Sequence, residues 1–149
     1  MLFTPSYIVL PGIIVTRQPT KGESVTRGAA TDETEPSIDG IKDLAGKRVA
    51  VVNRYSWHDF LEELHPEITP VPVKNTLEGL QKVAFGEVDA MIDYQFNITE
   101  KINNSGIRNL RAAGSIDAPY GHAFGIRKDW PELHSIINKA LSKMKSLLL

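Results

Sequence analysis

Four consecutive apolar residues, Val49, Ala50, Val51 and Val52, follow Gly46-Lys47-Arg48 and are closed by Asn53, and they constrain this chain more than any other stretch. An unbroken apolar run of this length suits a strand covered on both faces, the situation of a strand inside a parallel sheet. The residues after it continue the theme. Trp57, Phe60, Leu61 and Leu64 recur at helical spacing, with Ser56 and Asp59 reading as a capping box. A second strand is predicted over 69–74, then Asn75 as a cap and a helix over 76–85 that stops at Gly86, then a third strand over 89–93. Residues 46–93 therefore read as a βαβαβ unit.

That reading has a geometric consequence for function. In open α/β sheets ligands collect at the carboxyl ends of the strands, where loops and helix N-termini converge. Here those ends carry residues 53–57 on one side and Asp93-Tyr94 on the other. The first is a helix start suited to an anion, and the second offers a carboxylate suited to a cation.

Composition narrows the class. The chain has 149 residues, enough for one ordinary domain, and 42% of them are hydrophobic, which fits a globular protein. Seventeen Lys and Arg against eighteen Asp and Glu leave no dense basic patch, so nucleic acid is not an expected partner. With no cysteine, disulfides and thiolate chemistry are excluded. The longest apolar run, residues 7–15, is broken by Pro11-Gly12 and is under half the roughly twenty residues a membrane span needs. No positive segment precedes it, so no signal peptide is expected: the chain is either cytoplasmic or a piece of an exported protein whose leader lies elsewhere. His58, His65, His122 and His134 are scattered, with no pair at the i, i+4 spacing of a helical metal site, so no metal or other cofactor is predicted.

Residues 3–17 read as an extended, β-branched segment broken near Pro11-Gly12, which must pair with something downstream. Residues 18–37, rich in Gly, Thr, Ser and charges, read as a mobile surface loop, and residues 39–44 as a short helical turn. Beyond Asp93 a helix is predicted over 95–104, stopped by Gly106, then a strand over 109–113, a turn over 117–121 and a strand over 122–127. The last helix is signalled by Asp129 as cap, Pro131 in the first turn and Glu132 completing a capping box. Its stripe of Leu133, Ile136, Ile137, Ala140, Leu141 and Met144 reads as a docking face.

In combination, Leu44-Ala45-Gly46-Lys47-Arg48-Val49-Ala50-Val51, Tyr55-Ser56, Thr76-Leu77-Glu78-Gly79-Leu80, residues 86–93 and residues 123–133 carry a resemblance. The chain is similar to the type 2 periplasmic solute-binding proteins, in the amino-acid-binding branch that also serves as the extracytoplasmic sensor module of histidine kinases and diguanylate cyclases. The likeness covers most of the chain outside residues 18–37. It implies an α/β periplasmic-binding-protein-like lobe, a three-layer sandwich with a mostly parallel sheet and one crossover antiparallel strand. Residues 1–17 would be the hinge or crossover strand, 18–40 a flexible loop, 41–121 the second lobe, and 122–149 a return strand with the C-terminal helix. Nearly all of the first lobe would then be missing, including the arginine that in this family clamps a ligand carboxylate. The resemblance also implies a periplasmic or extracytoplasmic location.

Two site positions carry over by resemblance. Ser56 matches the serine or threonine whose hydroxyl and amide hold an α-carboxylate, and Asp93 matches the aspartate that pairs with the ligand's α-amino group. Arg54 stands where the family usually has glycine, and would either block the pocket or add a cationic grip. Arg54, Tyr55, Ser56, Trp57, Asp93 and Tyr94 are thus the candidate ligand-binding residues, with a small amino acid or related carboxylate as partner and no catalysis. Each has a plainer alternative: Ser56 as only a helix cap, Asp93 as a cap for the following helix, and Trp57 as core beside Phe60 and Leu61.

Other classes fit less of the sequence. A phosphoacceptor receiver domain would use a strand like residues 89–93, but needs an acidic pair where Asn53-Arg54 stands. A dehydratase-like enzyme on the solute-binding fold would need groups from both lobes. A dinucleotide-binding reading lacks the glycine-rich turn, since residues 53–57 contain no glycine. A homodimeric interaction domain without ligand remains as an alternative, since the segment near residues 7–15 and the apolar stripe of the last helix would leave surface to cover.

Overall fold

In the computed structural model, residues 1–18, 38–117 and 121–148 are described. The elements run β1 (Leu2–Phe3), β2 (Gly12–Arg17), a short 3₁₀ turn (Ile41–Leu44), β3 (Arg48–Val52), α1 (Ser56–Leu64), β4 (Thr69–Val73), α2 (Thr76–Ala84), β5 (Ala90–Tyr94), α3 (Gln95–Ser105), β6 (Leu110–Ile116), β7 (Gly125–Ile126) and α4 (Pro131–Leu147). Residues 19–37 of the expected loop, and 118–120 of the expected turn, lie outside the described residues. The chain divides into two units, Pro11–Asp117, and Met1–Leu10 with Ala118–Leu149.

The first of these units is an α/β lobe around a five-stranded sheet in the order β4-β3-β5-β2-β6. β3 pairs in parallel with β4 on one side and β5 on the other, as its unbroken apolar run requires. Its last four residues, Val49 to Val52, are all buried. β2 is the one strand that runs against the rest, pairing antiparallel with both β5 and β6. The expected boundary after residue 17 therefore moves. β2 lies inside the sheet with neighbours on both edges, and belongs with the lobe rather than with a separate hinge segment.

Side chains alternate between the two faces of the sheet. Ile13, Val15, Ala50, Val52, Val71, Val73 and Met91 share one apolar cluster with Leu80 and Val83 of α2 and Ile98 and Ile102 of α3. The intervening residues Ile14, Val49, Val51 and Ile92 are buried on the opposite face. α1 carries Trp57, Phe60 and Leu61 into the interior from its amphipathic side. α2 begins as the sequence predicts, with the Asn75 side chain accepting from the Glu78 amide at 2.9 Å. α3 ends at Gly106, whose φ of 71° is the left-handed conformation that glycine adopts without strain.

The second unit is small. β1 and β7 pair antiparallel over two residues each, and Ile8 and His122 form an isolated bridge. The strand expected over 122–127 thus shrinks to its last apolar pair. Tyr7 and Phe124 stack with ring centroids 4.7 Å apart. At α4 the expected cap is corrected: Trp130 is the N-cap residue and makes no side-chain cap bond, because the Asp129 carboxylate is taken by the Arg127 guanidinium. The helix buries Leu141, while Ile136 and Met144 remain more than half exposed. Two strands of two residues are too small to cover the whole stripe.

Leu80 is fully buried in the cluster under the sheet. Leu80→Ala is expected to destabilise the chain by about 2–5 kcal/mol, as truncation of a packed leucine leaves a cavity as well as losing transfer energy. Urea denaturation with an unchanged m-value checks this.

Candidate functional site

The pairing of β3 with β5 brings their carboxyl ends side by side, so residues 53–57 and 93–96 meet at one end of the sheet. β2 enters at the same end, since Gly12 pairs with Tyr94. A side chain at Gly12 would collide with the Trp57 ring, so the indole lies directly against the backbone of the incoming strand.

The turn from β3 into α1 is held by backbone contacts. The Asn53 amide donates to the Val73 carbonyl at 2.9 Å, and the Tyr55 amide to the Val52 carbonyl at 3.1 Å. Between them Arg54 adopts φ 60°, the left-handed region that glycine favours. Its amide donates to Nδ1 of His58 at 3.2 Å, while Nε2 of that ring lies 3.2 Å from Glu62 Oε1. The backbone here takes a glycine-like turn, and Arg54 adopts it with an exposed side chain.

Ser56 is placed one position later than the sequence suggests. Tyr55, more than half exposed, is the N-cap residue, and no side chain caps α1. The Ser56 hydroxyl points across the gap to β5 and shares a hydrogen bond of 2.9 Å with the Tyr94 hydroxyl. No acceptor among the described residues is found for the Ser56 or Trp57 amides, as expected for the first turn of a helix. The Tyr94 ring stands edge-on to Trp57, with centroids 5.5 Å apart, and stacks on the exposed Phe96 at 6.1 Å. Trp57 is core, 3% exposed, yet its indole Nε1 is buried with no hydrogen-bond partner among the described residues.

Asp93 departs from the sequence expectation. Its side chain falls on the opposite face from Tyr94, because neighbours in a strand point opposite ways. It shares the α2/α3 face with Met91 and is only 2% exposed. One carboxylate oxygen accepts from the Thr76 hydroxyl at 2.6 Å; the other accepts from its neighbour's Tyr94 amide at 2.7 Å and from the Asn97 side chain at 3.1 Å. The alternative reading, a carboxylate serving the start of the next helix, is the one this geometry supports. A buried carboxylate holding three internal donors is not presented to a ligand ammonium in this conformation. Thr76 and Asn97 were not singled out from sequence, although the alternation along β5 was the signal that could have pointed to them.

The structure therefore brings Arg54, Tyr55, Ser56, Trp57 and Tyr94 together and sets Asp93 behind them. What remains open is rich in donors and aromatic edges, which suits an anion with an apolar or planar flank. Among the described residues no group of three or more His, Cys, Asp or Glu side chains could hold a metal ion, and no helix is long and apolar enough to cross a membrane.

No family model matches the sequence. The sensor protein EvgS of Escherichia coli (strain K12) is 27% identical over 145 residues, which is 95% of this chain and 10% of that protein. The virulence sensor protein BvgS of Bordetella pertussis is 31% identical over 99 residues, 66% of this chain and 8% of that one. The chain thus spans about a tenth of these curated relatives. Among solved structures, the periplasmic VFT2 domain of Bordetella pertussis BvgS superposes with a TM-score of 0.70 at 27% identity, covering 95% of this chain and 54% of that one. An ancestral arginine-binding protein bound to arginine also gives 0.70, at 21% identity, over 97% of this chain and 58% of that one. The second likeness speaks for the fold alone.

Two outcomes test the local geometry. Asp93→Ala leaves the Thr76, Asn97 and Tyr94 donors facing a void, and is expected to cost about 1–3 kcal/mol or more in a urea titration. Arg54→Gly relieves a left-handed residue and is expected to raise stability by up to about 1–2 kcal/mol, whereas Arg54→Ala, which keeps the same backbone strain, should not.

Proposed function

We propose that this chain, a relative of the type 2 periplasmic solute-binding modules of sensor and amino-acid-binding proteins, binds the carboxylate end of a small solute without catalysis. The ligand class is an amino acid or a related carboxylate. The observation that carries this reading is the contact of the Ser56 and Tyr94 hydroxyls at the joint end of β3 and β5, beside the open first-turn amides of α1. Those amides and hydroxyls are donors arranged for charge-assisted bonds to an anion, and the helix dipole adds to them. The exposed Arg54 side chain, two residues before Ser56, adds positive charge.

What the hydroxyls touch supports the non-catalytic reading. Ser56 is paired with a phenol rather than with a histidine or carboxylate that would draw off its proton. His58 is engaged by the Arg54 amide and by Glu62. In this reading the Pro11–Asp117 unit corresponds to the second lobe of a two-lobed module, works outside the cytoplasm as part of a sensory or transport protein, and signals through lobe closure.

The second reading, a ligand-free interaction domain, is favoured by one observation: Phe3, Trp130, Ile136, Met144 and Leu147 of the smaller unit are all more than half exposed. A homodimer would cover that surface, and multi-angle light scattering at high concentration would detect it, a strict monomer counting against it.

For the binding reading, calorimetric titration with L-glutamine and L-arginine is the test. Binding of either is expected, and Ser56→Ala should weaken it about 10- to 100-fold, the worth of one hydrogen bond to a charged group. Equal affinity in the variant would remove Ser56 from the site.

A further inference from the structure

We infer that this site selects its ligand by the carboxylate alone, with Tyr94 as a second carboxylate-binding hydroxyl and Asp93 as a positioning residue that does not read the ligand's ammonium group. The inference rests on the binding reading above and adds that an α-amino group on the ligand is not read.

The alternation along β5 sets this specificity. Ile92 and Tyr94 face the α1 side of the sheet, and Met91 and Asp93 face α2 and α3. The residue available to a solute beside Ser56 is consequently the phenol, and the acid lies across the strand. Asp93 is only 2% exposed, and both its oxygens already accept hydrogen bonds, from Thr76 on one and from Tyr94 and Asn97 on the other. Those bonds tie the first residue of α2 and the first turn of α3 to the tip of β5. Turning the carboxylate toward a solute would strand all three donors in a low-dielectric interior, which no single new contact to an exposed ammonium offsets.

Tyr94, by contrast, is arranged to meet an anion. Its ring is held between Trp57 and Phe96, so the hydroxyl has a set position rather than sweeping through solvent. It sits 2.9 Å from the Ser56 hydroxyl, and each of the two groups can both donate and accept. In the absence of an anion they satisfy one another; with a carboxylate present both can rotate their protons onto its oxygens. The Trp57 indole N–H is buried, has no acceptor among the described residues, and belongs to the ring packed against Tyr94. The α1 amides and two hydroxyls thus gather here, and Asp93 lies across the strand from them.

The experiment compares matched pairs on the whole chain by calorimetry: L-glutamine with glutaramate, which lacks only the α-amino group, and L-arginine with δ-guanidinovalerate, its counterpart. Members of a pair are expected to bind within about threefold of each other, and Tyr94→Phe to weaken both by about tenfold. Asp93→Asn, which keeps one acceptor for Thr76, is expected to shift both members of a pair equally, whatever it does to stability. Loss of about tenfold or more on removing the α-amino group, or a selective loss of the amino acid in Asp93→Asn, would overturn the inference while leaving carboxylate binding in place. Unchanged affinities in Tyr94→Phe would overturn the role of the phenol. If no member of either pair binds, the binding reading itself fails and this inference falls with it.

Discussion

Parallel pairing of β3 on both of its edges is the constraint from which the rest of the lobe follows. A strand flanked in parallel on two sides must be reached by crossovers, so α1 and α2 lie between the paired strands, and both faces of the sheet need covering. The apolar run from Val49 to Val52 supplies that burial, and α1, α2 and α3 supply the cover. The same arrangement sends the carboxyl ends of β3, β4 and β5 to one end of the sheet, where the N-termini of α1, α2 and α3 also converge. That end is where backbone donors are left without partners, which is the reason the proposed site is placed there and not at the opposite end.

Within that end the two faces have different tasks. On the α2/α3 face Asp93 is consumed in structure: its carboxylate gathers the start of α2 through Thr76 and the first turn of α3 through Asn97. Burying a charge is costly unless it is hydrogen-bonded, and here three donors meet that requirement. On the α1 face the groups are neutral, adjustable and half-buried, with Ser56 and Tyr94 bonded to each other. One side holds the helix starts rigid, and the other keeps hydroxyls that can change partners. Arg54, turned through a left-handed conformation, lets the chain leave β3 and begin α1 without lengthening the loop.

Most of the elements were legible because their signals are local. Asn75 three residues before Glu78, Gly106 after an apolar helix pattern, and the apolar run of β3 each act through their own or nearby backbone. Where the reading slipped, a competing partner had intervened. Ser56 does not cap α1 because its hydroxyl is bonded to Tyr94, 38 residues on in the sequence. Asp129 does not cap α4 because Arg127 takes its carboxylate. β6 runs on to Ile116, beyond the expected strand over 109–113, because β2 lies alongside to pair with it, and an extended neighbour lengthens a strand that its own sequence of Ala and Gly would not.

By itself, the sequence determined that the chain alternates short strands and helices, that β3 is buried on both faces, and that residues 53–57 and 93–94 lie at the carboxyl ends of their strands. Periodicity and capping are properties of neighbouring residues, and they survive in any arrangement of the whole. Only the tertiary structure decided which of Asp93 and Tyr94 meets α1. Alternation guarantees that two successive residues of β5 look in opposite directions, but the helix lying on each side is set by how the crossovers wind around the sheet. That choice put the phenol beside Ser56 and the carboxylate in the interior, bonded to the starts of α2 and α3.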